Sequence, residues 1–248
     1  MKPIVLPNLP TSRVRLAAVS ENAYDIITSL EEEGIEVVKV GRAETLPTPV
    51  AYHSDLQLLH LGSSNILIAK DKSTLESQLT KFGFVIQKTY TKLGEEYPQD
   101  ISLNFLLLNN CCFGLSHIIP LQLKEYCDCR GLQIIHSKQG YARCSVAIVS
   151  PKAAITADVT LYRLLTAAQI DVLLVDPGDI VLDGYDTGFI GGCCGLIDHN
   201  RLAFTGNLAC YRSGVAVQNF LDRHQVIPVF LKGGKLVDIG GILPLMEE

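Results

Sequence analysis

The chain has 248 residues, of which 48% are hydrophobic and 19% are charged, a composition typical of a protein with a sizeable folded core. Its 21 basic and 26 acidic side chains give a net charge of −5 at pH 7. Without a basic cluster, this charge disfavours a nucleic-acid partner. Uninterrupted apolar runs are four or five residues long, so no membrane-spanning helix is expected.

The cysteine content and the first residues bear on the cellular compartment. Eight cysteines are too few to form a disulfide scaffold in a chain of this length. The first sixteen residues contain three prolines and lack the apolar segment of a signal peptide. We therefore expect a cytoplasmic protein with free thiols. The sequence has no C-x₂-C pair and no glycine-rich nucleotide motif, so neither a metal nor a cofactor is predicted.

Along the chain, a strand, an amphipathic helix and a second strand recur five times. Glycines at positions 34, 83 and 131 follow the first three helices, where a helix commonly ends. Five units of about 48 residues fill the chain, so we predict a single domain over residues 1–248. The predicted second strands are Ile35–Val40, Phe84–Tyr90, Leu132–Ser137, Ile170–Val175 and Val226–Leu231.

In units two to five, two strands joined by turn residues precede the helix. The predicted pairs are Leu56–Leu61 with Asn65–Ala69, Leu103–Leu108 with Cys111–Gly114, Ser145–Val149 with Ala153–Ala157, and Cys194–Ile197 with Arg201–Thr205. Unit one has only Arg13–Val19 before its helix, whereas Val237–Leu245 is left over after unit five. We predict that Gly241–Leu245 pairs with Arg13–Val19, closing the units into a ring and covering exposed sheet edges.

Several motifs carry a resemblance to a known superfamily: His53-Ser54-Asp55, Gly140-Tyr141-Ala142-Arg143-Cys144-Ser145, Gly188-Phe189-Ile190-Gly191-Gly192 and Asp238-Ile239-Gly240-Gly241. With the five strand–strand–helix–strand units, they resemble an uncharacterised branch of the guanidino-group-modifying, or pentein, superfamily. The resemblance covers essentially the whole chain and implies a five-fold pseudo-symmetric α/β-propeller. The superfamily contains arginine and agmatine deiminases, amidinotransferases and a non-catalytic ribosome anti-association initiation factor, so the fold does not fix the function.

In this architecture the first strand of each unit begins near the ring axis. Aligned unit starts place Asp55, Arg143 and Gly192 at one position, and this divergence indicates a lined pocket. A guanidinium requires carboxylates that accept parallel hydrogen bonds. The substrate-binding candidates are therefore Asp55, Asp100, Asn104, Arg143 and Asp238. The resemblance implies a reaction that uses a cysteine thiolate and a proton-transferring histidine, so the catalytic candidates are His53, Cys144 and Cys193.

The resemblance also assigns roles. In the superfamily's deiminases an H-x-D motif provides a histidine and a substrate-binding aspartate, and His53-Ser54-Asp55 matches it. Their catalytic cysteine lies in a glycine-rich segment near the C terminus, but the matching segment, Gly240–Leu245, has none. An enzyme would therefore use Cys144 or Cys193. Cys144 is preferred because it follows Arg143 in a segment without glycine and with a fixed backbone, whereas Cys193 follows the flexible Gly191-Gly192. Such a nucleophile must be accessible and partly ionised near neutral pH.

Each candidate also has a structural interpretation. Asp100 can cap a turn after Pro98, Asp238 can serve the ring closure, Arg143 can form an ion pair, and the cysteines can be small buried hydrophobes. Two functions stay open. One is a guanidino- or amidino-group hydrolase or amidinotransferase. The other is a non-catalytic propeller that binds a small polar ligand or a macromolecular surface.

Overall fold

A computed structural model describes all 248 residues and contains five small sheets. One has the order β1-β16-β2-β3, and the others are β4-β5-β6, β7-β8-β9, β10-β11-β12 and β13-β14-β15. The strands are β1 Lys2–Pro3, β2 Val14–Ser20, β3 Glu36–Val40, β4 Leu58–Gly62, β5 Asn65–Ile68, β6 Val85–Lys88, β7 Leu106–Leu108, β8 Cys111–Gly114, β9 Gln133–His136, β10 Val146–Ser150, β11 Ala153–Thr156, β12 Asp171–Leu174, β13 Cys194–Asp198, β14 Arg201–Phe204, β15 Ile227–Phe230 and β16 Leu243–Glu247.

In every sheet a helix connects two parallel strands, as a crossover between parallel neighbours requires. The helices are α1 Tyr24–Glu32, α2 Ser54–Gln57, α3 Ser73–Lys81, α4 Leu121–Arg130, α5 Val159–Ala167 and α6 Gly214–Arg223. No helix of the structure is long and apolar enough to cross a lipid bilayer. The predicted five-unit α/β-propeller is thus confirmed, with third strands slightly shorter than the sequence suggested.

The two ends of the chain complete the first sheet. Strand β16 pairs antiparallel with β2, with Leu243 opposite Ala18 and Pro244 opposite Ala17. It therefore takes the place that β4, β7, β10 and β13 occupy in the other units. The predicted closure of the ring is confirmed, although β16 begins at Leu243 and extends to Glu247.

Burial explains the apolar character of the first two strands in each unit. All residues of β7, β8 and β11 are buried. In β6 and β9, by contrast, every side chain is exposed or half-buried. Strands covered on both faces lose their polar positions, so they appear in the sequence as continuous apolar runs. The third strand of each unit lies at the open edge of its sheet, and all of these strands except β15 keep at least one polar residue.

Five connections, each running from the third strand of one unit to the first strand of the next, carry the candidate residues. Most of them end in a helical turn: α2, the 3₁₀ turns Gln99–Ile101 and Gly191–Cys193, and a turn in which Ser145 N–H donates to Tyr141 O at 3.0 Å. Strands β4, β7 and β10 consequently begin later than predicted, whereas β13 begins at Cys194 as predicted. A helical turn directs successive side chains to different sides, so consecutive residues such as Arg143 and Cys144 reach different partners.

Glu247 anchors the closure of the ring. Its carboxylate is buried and accepts hydrogen bonds from Thr11 N–H at 2.5 Å, Thr11 Oγ1 at 2.9 Å and Ser12 N–H at 3.0 Å. Burial favours the neutral acid, but these hydrogen bonds and the charge of Lys2 outweigh it and lower the pKa of Glu247.

We expect Glu247→Gln to reduce the free energy of unfolding at neutral pH by about 1–3 kcal/mol, because charge-assisted hydrogen bonds are lost. A carboxyl whose pKa is lowered by folding stabilises the folded state above its usual pKa and stops doing so in acid. The difference between variant and wild type should therefore shrink as the pH falls through that range. Urea unfolding checks this, and a difference independent of pH would contradict it.

Deletion of residues 236–248 should abolish cooperative unfolding, because it removes β16 and leaves β2 without its antiparallel partner. Urea unfolding of the truncated chain measures this, and an unchanged transition would contradict the closure of the ring.

Candidate functional site

Asn104 connects three of the converging segments. Its Oδ1 accepts hydrogen bonds from the N–H groups of Arg143 at 2.9 Å and Cys144 at 3.1 Å. Its Nδ2 lies 3.2 Å from the carbonyl oxygen of Asp55 and 3.0 Å from the sulfur of Cys144. A fully buried amide that uses both ends in this way fixes the relative positions of the neighbouring groups.

Cys144 and Asp55 form a direct contact. The Cys144 thiol donates to Asp55 Oδ2 at 2.9 Å, and both side chains are buried. Burial raises the pKa of Asp55 to about 6, although the charges of His53 and Arg143 oppose the shift. Burial, and then the negative charges of Asp55 and Asp238, raise the pKa of the Cys144 thiol well above its usual range. At neutral pH this thiol is therefore protonated.

His53 and Asp238 lie beside this contact. The distance between His53 Nδ1 and Asp238 Oδ1 is 3.8 Å, longer than a hydrogen bond. Asp238 instead accepts the N–H groups of Phe189 at 2.8 Å and Gly240 at 3.0 Å. These backbone donors hold the carboxylate next to His53 and compensate for its burial.

Two glycines of the sequence motifs make room for this pair. A Cβ atom at Gly192 would lie 2.0 Å from Asp238 Oδ1, and one at Gly240 would lie 2.5 Å from His53 Cα. Gly240 also has a φ of +76°, a conformation that favours glycine. The glycine-rich motifs thus allow backbone to approach the acidic and imidazole side chains closely.

Arg143 points away from Cys144. Its buried guanidinium donates to the carbonyl oxygens of Val146 at 3.3 Å and Gly191 at 3.5 Å, and to Asn8 Oδ1 at 3.5 Å. Its Nε has no partner. Asn8, which the sequence analysis did not select, has a φ of +61° and is buried at 7% exposure. No motif marks it, because it reaches Arg143 only through the path of the N-terminal segment.

Asp100 contacts the aromatic side chain of Tyr141 and takes no part in the Cys144–Asp55 contact. Tyr141 donates its hydroxyl to Asp100 Oδ2, while Oδ1 has no partner, and burial raises the pKa of Asp100. The ring of Tyr141 stacks on Phe189 at a centroid distance of 5.6 Å and lies 6.2 Å from Tyr97. Tyr141 and Phe189 lie in motifs that were noted, but neither side chain was selected.

Cys193 is separate from these groups. Its sulfur lies 3.1 Å from the carbonyl oxygen of Ile190, and the side chain is completely buried. Burial, together with neighbouring Cys194 and Asp238, raises the pKa of the Cys193 thiol well above its usual range. The structure therefore brings His53, Asp55, Asn104, Cys144 and Asp238 together and leaves Asp100, Cys193 and the guanidinium of Arg143 in neighbouring environments.

A depression of about 280 Å³ opens to the surface beside His53 and Asp238. We call it the axial depression; of the eight candidates, His53 and Asp238 line it. Its other polar or aromatic walls are Ser20, Asn22, Tyr24, Asp25, Tyr52, Asp183 and Lys232. Asp25, Asp183 and Asp238 thus line the depression together with one lysine, Lys232, which lies 3.5 Å from Asp25. Excess negative charge and tyrosine faces suit a small cation.

The sequence analysis missed most of these walls. They come from α1, from the segments before His53 and Asp238, and from the loop that contains Asp183. These segments are distant in sequence, and none of them carries a recognisable motif. The only signal was Tyr52, which directly precedes His53.

Solved structures confirm the fold. The chain resembles an inosamine-phosphate amidinotransferase from Streptomyces griseus, with a TM-score of 0.62, 11% identity and coverage of 100% of this chain and 97% of that chain. It also resembles SxtG, an amidinotransferase from Microseira wollei, with a TM-score of 0.57, 12% identity and coverage of 90% and 91%. A third similar structure is an agmatine deiminase from C. jejuni, with a TM-score of 0.57, 10% identity and coverage of 92% of this chain and 91% of that chain. All share the pentein fold.

The sequence comparison is narrower. Residues 18–243 match a family described as "Family of unknown function (DUF6873)", so the chain belongs to that family. No curated protein sequence matches the chain. The comparisons therefore establish a chain of the DUF6873 family that has the pentein fold, because identities this low to solved structures carry the fold alone.

The raised pKa of Asp55 gives a test of the cluster. Between its usual value of 3.8 and about 6, the folded protein binds a proton that the unfolded chain releases. Wild type should therefore gain stability relative to Asp55→Asn, by about 1 kcal/mol, as the pH falls from about 7.5 to about 5. Urea unfolding at both pH values measures the difference, in which other titrating groups cancel. An unchanged difference would contradict an ionised, buried Asp55.

Proposed function

We propose that this protein binds a small cationic ligand of the guanidino or amidino class in the axial depression, without using a cysteine nucleophile. The observation that carries the proposal is the excess of carboxylates there: Asp25, Asp183 and Asp238 against Lys232 alone. A planar guanidinium pairs with carboxylates through parallel hydrogen bonds and stacks on tyrosine faces. The pentein fold, shared with amidinotransferases and deiminases, supports the same ligand class by analogy.

The size and position of the depression support a ligand of about amino-acid size. Its volume of about 280 Å³ lies at the lower end of small-molecule pockets. The side chains of Asp25 and Asp183 are exposed to solvent. Asp25 is paired with Lys232, so the carboxylate of Asp183 is the more open of the two to an incoming cation. His53 and Asp238 form the inner wall. The absence of disulfides among the eight cysteines supports a cytoplasmic location, which stays a prediction.

The state of the thiols supports binding without covalent catalysis. Cys144 is 2% exposed and Cys193 is 0% exposed, and neither lines the axial depression. Burial raises the pKa of both thiols well above the usual range. A cysteine nucleophile requires access and thiolate character.

A guanidino-group hydrolase is the second candidate, and one contact favours it. The Cys144 thiol donates directly to Asp55, whose pKa of about 6 makes it a proton acceptor near neutral pH. In such a reaction the sulfur would attack the guanidino carbon after losing its proton, an amine would leave with a proton, and water would cleave the carbon–sulfur bond. This route requires the segments around Cys144 to open toward the depression.

Calorimetric titration tests the binding proposal. Arginine or agmatine should bind at least about tenfold more tightly than citrulline, whose ureido group is uncharged. Asp183→Asn should weaken binding of the cation about threefold to tenfold, because one carboxylate is removed. Asp186→Asn is the matched control, since Asp186 is exposed on the same loop but does not line the depression. Equal binding of citrulline, or equal weakening by both variants, would refute the proposal.

Thiol labelling separates the two candidates. With iodoacetamide near pH 7, we expect the exposed Cys129 and Cys210 to react first, and Cys144 and Cys193 to stay unmodified in the native protein. Mass spectrometry of the labelled peptides gives the order. Rapid labelling of Cys144, together with ammonia release from a guanidino compound that Cys144→Ser abolishes, would instead establish the hydrolase.

A further inference from the structure

A second concave site lies at the opposite end of the sheets. It is a groove of about 300 Å³, which we call the hairpin-side groove. It is bordered by Gly62 at the end of β4, by Asn109 and Asn110 between β7 and β8, and by Pro151 between β10 and β11. Each first strand runs from the axis toward its hairpin turn, so these turns lie away from His53 and the axial depression.

The walls of the groove are mainly apolar. Val5, Leu6, Pro7 and Leu9 of the N-terminal segment form one side. The other side consists of Leu61, Leu107, Leu108 and Leu132. Val5 is 61% exposed and Leu6 is 52% exposed, so apolar surface at the rim stays in contact with water. A ligand that covers this surface gains from its removal from water.

Backbone hydrogen bonds hold the N-terminal wall in place. Ile4 N–H donates to Leu245 O at 3.0 Å, and Ser63 N–H donates to Ile4 O at 2.8 Å. The side chain of Leu9 is buried in the core. The groove therefore exists before any ligand binds, which reduces the ordering cost of binding.

A single charged side chain lines the groove. Arg130 is the last residue of α4, and its guanidinium lies 5.7 Å from the ring centroid of Tyr126. Tyr126 donates its hydroxyl to Leu61 O, so the ring is fixed. No aspartate or glutamate lines the groove. An apolar trough with one unopposed cation is complementary to a molecule with an aliphatic body and one negative group.

We propose that the hairpin-side groove binds a small apolar carboxylate, with its carboxylate on Arg130 and its chain along the leucines. Its volume accommodates one aliphatic chain of about eight carbons. The chemistry is opposite in charge to that of the axial depression, and it does not depend on the function proposed for that depression.

Octanoate is a suitable probe, titrated by calorimetry into the full chain. Wild type should bind it with a dissociation constant below about 1 mM, and bind octylammonium at least about fivefold more weakly. Arg130→Gln should weaken octanoate binding about fivefold and remove the preference for the carboxylate. Arg223→Gln is a matched control, because Arg223 ends α6 and lies 5.1 Å from the Phe220 ring in the same way.

A cysteine in the groove gives a second, independent measurement. Cys111 lines the groove, whereas the exposed Cys129 on α4 does not. Cys111 is 8% exposed, so N-ethylmaleimide should modify it slowly in the native protein. Octanoate should slow that reaction further and leave Cys129 unaffected. Leu6→Asp, at an exposed position, should weaken octanoate binding by charge repulsion without unfolding the protein.

Several results would overturn the proposal. These are no octanoate binding up to about 10 mM, equal affinity for octanoate and octylammonium, or equal weakening by Arg130→Gln and Arg223→Gln. A dimer that Leu6→Asp dissociates, in a protein that does not bind octanoate, would also overturn it. The groove would then be an interface between two copies of the chain.

Discussion

The pairing of β16 with β2 is the constraint on which the rest of the structure depends. It supplies the strand that unit one lacks and joins the two ends of the chain. It also carries the preceding residues to the axis, where Gly240 O accepts hydrogen bonds from Asp55 N–H at 3.3 Å and Ser54 Oγ at 2.9 Å. Asp238 reaches His53 only because the ring is closed. Ring closure and construction of the polar cluster are therefore the same event.

The polar cluster places unusual demands on stability. Asp55 Oδ1, Asp100 Oδ1 and Arg143 Nε are buried without partners, although buried polar atoms are normally hydrogen-bonded. Leaving such groups unpaired costs free energy, and proteins tolerate that cost mainly where polar groups have a task. The cluster and its neighbouring side chains thus concentrate unpaired buried polar groups that a purely structural propeller core would avoid.

The two concave sites differ in charge because different ends of the strands form them. Two connections between units and the first turn of α1 bring Asp183, Asp238 and Asp25 to one depression. Hairpin turns and the end of α4 form the other site, where Arg130 is the charged residue. A repeat fold with distinct ends can bind chemically different ligands without interference between them.

The sequence by itself determined the fold. Apolar runs, turn residues and helix-ending glycines are local signals, and the unmatched strands Arg13–Val19 and Val237–Leu245 required ring closure. The segments that reach the axis could also be predicted from the sequence, because each of them carries a motif that differs between the units. Tertiary structure alone decided which side chains meet: Cys144 donates to Asp55, whereas Asp100 accepts from Tyr141. Those contacts depend on helical turns before the strands and on chain paths such as that of Asn8, which no local pattern encodes.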